Sequence, residues 1–144
     1  MLLSKSTEYA IRAMTFLAMQ PTGRLCGAKE IAEAEQIPIP FLWKLLQQLS
    51  RRKLIRSYKG LRGGYQLAIP ADQIALKMVL QAIDGGDTFE GCVLGLPQCD
   101  EANACPLHDT WKQLRNNLNS MLDLNSLADL AQVAERRRLQ GTAV

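Results

Sequence analysis

The sequence predicts a mainly α-helical protein: a winged helix-turn-helix domain with a two-stranded wing, followed by a long C-terminal helix suited to dimerisation. Three observations carry that class. Residues 4–68 run in the order helix, short helix, helix, β-hairpin. The stretch from Gln36 to Ala71 has no Asp or Glu, yet Lys44, Arg51, Arg52, Lys53, Arg56, Lys59 and Arg62 give it seven positive charges. Near the C-terminus, Leu107, Trp111, Leu114, Leu118 and Met121 follow the 4-3-4-3 spacing of a coiled-coil seam.

Ser4 or Ser6 can cap a first helix in which Ala10, Met14 and Leu17 recur at helical spacing, with Ile11 and Ala18 beside them. Pro21 and Gly23 stop it. A shorter helix is expected over Ala28 to Glu35 with Ile31 and Ala32 inward, then a tight connector, Ile37-Pro38-Ile39-Pro40. Each proline there biases its predecessor away from helix, and Pro40 can occupy a first-turn position. The third helix buries Leu42, Leu45, Leu46 and Leu49 and leaves Lys44, Gln47, Gln48 and Arg51 outside. Trp43, near its start, is expected in the core, with a contact to DNA or a partner as the alternative.

Leu54 to Tyr58 and Tyr65 to Ala68 read as strands joined by the turn Lys59-Gly60-Leu61-Arg62-Gly63-Gly64. A helix over Ala75 to Ile83, ended by Gly85-Gly86, precedes an irregular segment from Asp87 to Ala104. The long helix is expected from about Pro106. Asn125 can cap a last helix bearing Leu127, Leu130, Ala131 and Ala134, and residues 140–144 are expected to be disordered. The expected divisions are therefore a winged domain over 1–84, a cysteine loop over 85–105, dimerisation helices over 106–139 and the tail.

An amphipathic helix with Lys, Gln and Arg outward suits the major groove, where Gln pairs with adenine and Arg or Lys with guanine. Glycines in the wing let the backbone pass close to phosphate, with Lys59 and Arg62 at the tip. The candidate DNA contacts are Pro40, Lys44, Gln47, Gln48, Arg51, Arg52, Lys59, Arg62 and Gly63, and the expected partner is double-stranded DNA. The bland reading of Arg51, Arg52 and Lys53 is a solvated helix end complementing the dipole.

From Met78 to Trp111 the balance reverses: six acids and no Lys or Arg. Cys92, Cys99, Cys105 and His108 stand there as C-x6-C-x5-C-x2-H. Three thiolates and one imidazole make four ligands, enough for a closed zinc site or for a [2Fe–2S] cluster. The long spacings suit a loop folding over a cluster better than a zinc knuckle. Cys26 lies apart and reads as a packed or free thiol. The chain has no run of 18 apolar residues, and Lys5, Glu8 and Arg12 interrupt any secretory signal, so no membrane partner is expected. The cytoplasm is the expected compartment, with its reduced thiols. With no C-x-x-C, no second histidine and no nucleotide motif, an enzyme is not expected.

Ser6-Thr7-Glu8-Tyr9-Ala10, Gly63-Gly64-Tyr65-Gln66-Leu67, Pro106-Leu107-His108 and Ser126-Leu127-Ala128-Asp129-Leu130 together resemble the Rrf-two family of bacterial winged-helix regulators. The resemblance implies a homodimer joined through the long helix, a palindromic operator, and a cluster whose state changes DNA affinity. In the cluster-assembly branch it implies a [2Fe–2S] cluster on Cys92, Cys99, Cys105 and His108. In the nitric-oxide branch it implies a [4Fe–4S] cluster on the three cysteines, completed by a carboxylate from the partner's first helix, where Glu8 stands. The first two cysteines are one residue further apart than is usual in the family, and Leu61-Arg62 replaces a common Pro-Gly. The alternative is a winged-helix DNA-binding protein with a structural zinc or no metal, regulated through a thiol or a protein partner.

Overall fold

Of the two serines that could start the first helix, Ser4 does so: its hydroxyl accepts the Thr7 N–H at 3.1 Å, capping α1 (Lys5–Ala18). This computed structural model describes residues 2–86, 89–98 and 100–141. Ala10, Ala13 and Met14 lie on the fully buried face of α1, where small residues let neighbouring helices approach. Helix α2 (Ala28–Glu35) keeps its expected bounds and turns Ile31 and Ala32 inward. It ends where Gln36 adopts left-handed geometry at φ 53°.

Helix α3 (Ile39–Arg51) starts right after the Pro38 N-cap, with Pro40 in its first turn, where a missing N–H costs no intrahelical bond. The predicted stripe is the buried one: Leu42, Leu45, Leu46 and Leu49. Lys53 then turns left-handed at φ 61°, and the Leu54 N–H reaches back to the Leu49 carbonyl at 3.1 Å. This swings the chain directly into the wing. Strands β1 (Ile55–Tyr58) and β2 (Gly64–Leu67) pair antiparallel, Ile55 opposite Leu67 and Tyr58 opposite Gly64.

Cys26 is packed, as expected, and it also extends the wing. Its backbone pairs with Tyr65 through two bonds, 3.0 and 2.8 Å. Gly63 and Gly64 are required by these close approaches. A Cβ on Gly63 would lie 2.0 Å from the Tyr58 carbonyl oxygen, and one on Gly64 would lie 2.8 Å from that of Cys26.

A short 3-10 turn (Ala71–Gln73), not foreseen, leads into α4 (Leu76–Asp84), which ends at Gly85 with φ 89°. Helix α5 (His108–Leu124) begins two residues later than expected, and α6 (Leu127–Leu139) closes the fold. The cap of α6 is Ser126, not Asn125. Ser126 and Asp129 form a reciprocal capping box, while the Asn125 side chain donates back to the Met121 carbonyl at 2.6 Å. The Asn125 carbonyl instead accepts the Leu76 N–H at 2.9 Å, so the break between α5 and α6 is stitched to the start of α4. Gln140 and Gly141 still bond to the last turn of α6, through Arg136 and Arg138 carbonyls, because the helix needs its terminal acceptors filled. Residues 142–144, the rest of the expected tail, lie outside the described residues.

The main core gathers α1, α2, α3, the wing base, α4 and Leu127 of α6. A second, smaller cluster of Leu80, Phe89 and Leu122 joins α4 to α5, with Leu3, Leu76 and Leu118 packed on it. No helix of the described residues is long and apolar enough to cross a membrane.

Candidate nucleic-acid interface and cysteine loop

Burial of the leucine stripe of α3 forces the opposite face outward. Lys44, Gln47, Gln48, Arg51 and Arg52 are all exposed, as are Pro40 at the helix start and Lys59 and Arg62 on the wing. Gly63 is half-buried under Tyr58 and fixes the shape of the wing tip. One concave surface runs between α3 and the hairpin, bounded by Pro40, Lys44, Gln47 and Ser50 on one side and Ser57 and Tyr65 on the other. None of the ion pairs among the described residues involves the basic residues of this face.

Trp43 is 58% exposed and lines the same concavity, not the core. The reason is spacing: on α3 Trp43 falls on the row Pro40–Trp43–Gln47, outside the stripe of Leu42, Leu45, Leu46 and Leu49. The aromatic that packs is Phe41, which meets Tyr9 of α1 edge to face, ring centroids 5.5 Å apart.

The cysteine loop is tied to α5 at several points. The Trp111 indole N–H donates to the Gly91 carbonyl at 2.8 Å, and Arg115 donates to the Glu90 carbonyl at 2.8 Å. These bonds hold the residues just before Cys92 against the early turns of α5. Further on, Lys112 pairs with Glu101 at 2.5 Å, and that ammonium holds the Glu101 carboxyl below its ordinary value. The chain turns tightly at Cys92: the Gly95 N–H reaches the Cys92 carbonyl at 2.9 Å, and the Leu94 N–H points at its Sγ at 3.4 Å. Cys105 precedes α5, and the His108 N–H closes an i→i+3 turn on its carbonyl at 3.0 Å. His108 itself is buried as the first residue of α5. Cys92 and Cys105 are half-buried, and Cys99 lies outside the described residues.

Among the described residues, no three of His, Cys, Asp and Glu stand close enough to form a metal-holding group. Glu8 is on the first turn of α1, ion-paired to Lys5 at 3.4 Å. Sequence reasoning missed Asp84, which ends α4 by accepting hydrogen bonds from the Ser4 and Thr7 hydroxyls and so ties α4 to the start of α1. It also missed Trp111 as the tie of the loop, since an aromatic at a seam position reads as packing alone.

An exposed basic helix and wing on a winged helix-turn-helix define a DNA-binding transcription regulator. The chain belongs to the Rrf2 family, described as iron-dependent transcriptional regulators, whose model matches residues 3–133. It is 30% identical to the HTH-type transcriptional regulator IscR of Aliivibrio salmonicida over 145 residues, which cover 96% of this chain and 86% of that protein. Among solved structures it is similar to CymR, the global cysteine regulator of B. subtilis, with a TM-score of 0.79 and 23% identity over 91% of this chain and 96% of that one. It is also similar to IscR of T. potens, with a TM-score of 0.75 and 24% identity over 94% of this chain and 90% of that one. These two likenesses show the mainly helical winged fold.

Proposed function

We propose that this regulator acts in the cytoplasm as a homodimer on a palindromic operator, and that an iron–sulfur cluster in the 85–105 loop sets its affinity. In this reading Lys44, Gln47 and Gln48 enter the major groove. Arg51 and Arg52 meet phosphates, and Lys59, Arg62 and Gly63 bring the wing to the backbone beside it. Residues 1–84 form the DNA-binding unit and 106–139 carry the dimer contact.

The observation that supports cluster sensing best is the anchoring of the cysteine loop: Trp111 holds Gly91, the neighbour of Cys92, on α5. The donor set fits a cluster chemically. Thiolates of Cys92, Cys99 and Cys105 with the imidazole of His108 make the four ligands that a [2Fe–2S] centre needs. The backbone N–H aimed at the Cys92 sulfur is the kind of contact a cluster-bound sulfur also accepts. When bound, the cluster supplies a ligation state that responds to iron, oxidants or nitric oxide. The protein's part is mechanical: Phe89, buried between Leu80 of α4 and Leu122 of α5, passes any rearrangement of the loop to both helices. The angle between them sets how two half-sites are met.

Anaerobic purification with an absorption spectrum and iron and sulfide counts tests this; a colourless protein carrying zinc supports the structural-zinc alternative. His108→Ala is expected to expose or lose the cluster while Glu8→Ala leaves the spectrum unchanged. The reverse pair of results assigns the partner's carboxylate and a [4Fe–4S] cluster.

A further inference from the structure

We infer that Trp43 reads a thymine in each half-site through the methyl group on the base, an inference that rests on the DNA-binding reading above. Two aromatics sit at the start of α3, and the fold uses only one. Phe41 is occupied by Tyr9, whereas Trp43 leaves 58% of its surface open, although tryptophan is usually among the more buried residues. Its position is central to the interface. Pro40 lies one turn before it and Gln47 one turn after, Lys44 is adjacent, and Ser57 and Tyr65 of the hairpin form the facing wall.

Apart from Pro40, the other residues on that surface offer groups for polar partners: an amide, an ammonium and hydroxyls. A flat apolar surface in the middle of them has no use for phosphate, and the residues suited to phosphate stand further along, at Arg51, Arg52 and the wing tip. In the major groove the apolar feature that varies between base pairs is the C5-methyl of thymine. Covering that one methyl removes about one methylene equivalent of apolar surface from water, roughly a four-fold gain in affinity per half-site. For two half-sites the gain is roughly fifteen-fold.

The test selects duplexes from a randomised pool with the full-length wild-type protein, then replaces thymine by uracil one position at a time. Uracil keeps every hydrogen bond and lacks only the methyl. Wild-type protein is expected to lose roughly four-fold at one symmetric position per half-site and to be indifferent elsewhere. Trp43→Ala should bind thymine and uracil duplexes equally, and Trp43→Phe should retain part of the discrimination. Trp43→Ala weakening all duplexes alike, with wild type blind to uracil, overturns the inference and makes Trp43 a sugar or backbone contact. Selected half-sites without an invariant thymine overturn it too. Failure to bind any duplex at low salt removes the DNA-binding reading itself, and this inference with it.

Discussion

If the proposed homodimer joins through α5, replacing Leu114 and Met121 together with aspartate is expected to separate it while leaving each chain folded. Both lie on α5 seven residues apart, and both are about half exposed, 50% and 49%. Fully burying such a side chain is worth about 1.5–3 kcal/mol, of which the single chain has already realised roughly half. Each therefore has about 1 kcal/mol left to gain from a partner. Two-fold symmetry counts every side chain twice, so four of them contribute about 4 kcal/mol, close to three decades in Kd. Carboxylates driven into the same contact add a desolvation cost to that loss. Leu118 also belongs to the seam spacing, but it packs on Leu80, Phe89 and Leu122 of its own chain, and replacing it would open the α4–α5 joint as well. The assay is sedimentation or light scattering over a wide concentration range, beside a circular dichroism melt that checks the single chain. An unchanged dimer dissociation constant with an unchanged melt refutes α5 as the interface.

Binding to duplex DNA should weaken steeply with salt, with a log–log slope on the order of −5 or steeper, measured by fluorescence anisotropy; a slope near zero contradicts the charge reading of residues 36–71. Gly63→Ala puts a Cβ where the Tyr58 carbonyl already stands, so the wing backbone must move at a cost on the order of 1–3 kcal/mol. Its DNA affinity should fall roughly ten-fold or more with little change in helical content. Ser126→Ala removes the cap of α6 and should cost about 1 kcal/mol, read as a lower Tm. The Ser126 backbone and hydroxyl hold the Asp129 carboxyl below its ordinary value of 3.8. That contribution is complete above the unfolded value and fades as pH falls through the lower folded one. Ser126→Ala keeps the backbone donor, the larger cause, and removes only the hydroxyl, so it should flatten the acid arm of the pH–stability profile in part.

Periodicity made most of the fold legible, because the burial that selects a helix face is written into spacing. The leucine stripe of α3 and the Ile31–Ala32 pair of α2 are examples. What escaped depends on contacts distant in sequence. Ser126 outcompetes Asn125 as a cap because Asp129 answers it and because the Asn125 carbonyl is taken by Leu76 of α4. Trp43 was misplaced on residue type: the same spacing that puts Leu42, Leu45, Leu46 and Leu49 on one face puts Pro40, Trp43 and Gln47 on another. The cysteine spacing was legible in the loop, but the bonds that tie the loop to α5 use main-chain carbonyls of Glu90 and Gly91, which carry no side-chain signal.

The loop and α3 are connected through two adjacent residues of α4. Leu80 packs on Phe89 in the small cluster, while Val79 lies in the main core with Leu42, Leu46 and Leu49 of α3. A packed interior does not absorb displacement gradually, so a shift of Phe89 that moves Leu80 must also move Val79 or break one of the two contacts. Asp84 constrains the other end of α4, since two hydroxyls of α1 hold its carboxylate. The start of α4 is held as well: the Leu76 N–H bonds the Asn125 carbonyl at 2.9 Å, and the Leu76 side chain packs on both clusters. The loop, α5 and α3 therefore meet on one helix fixed at both ends, so a displacement at Phe89 reaches α3 through packing rather than being lost in a loose joint.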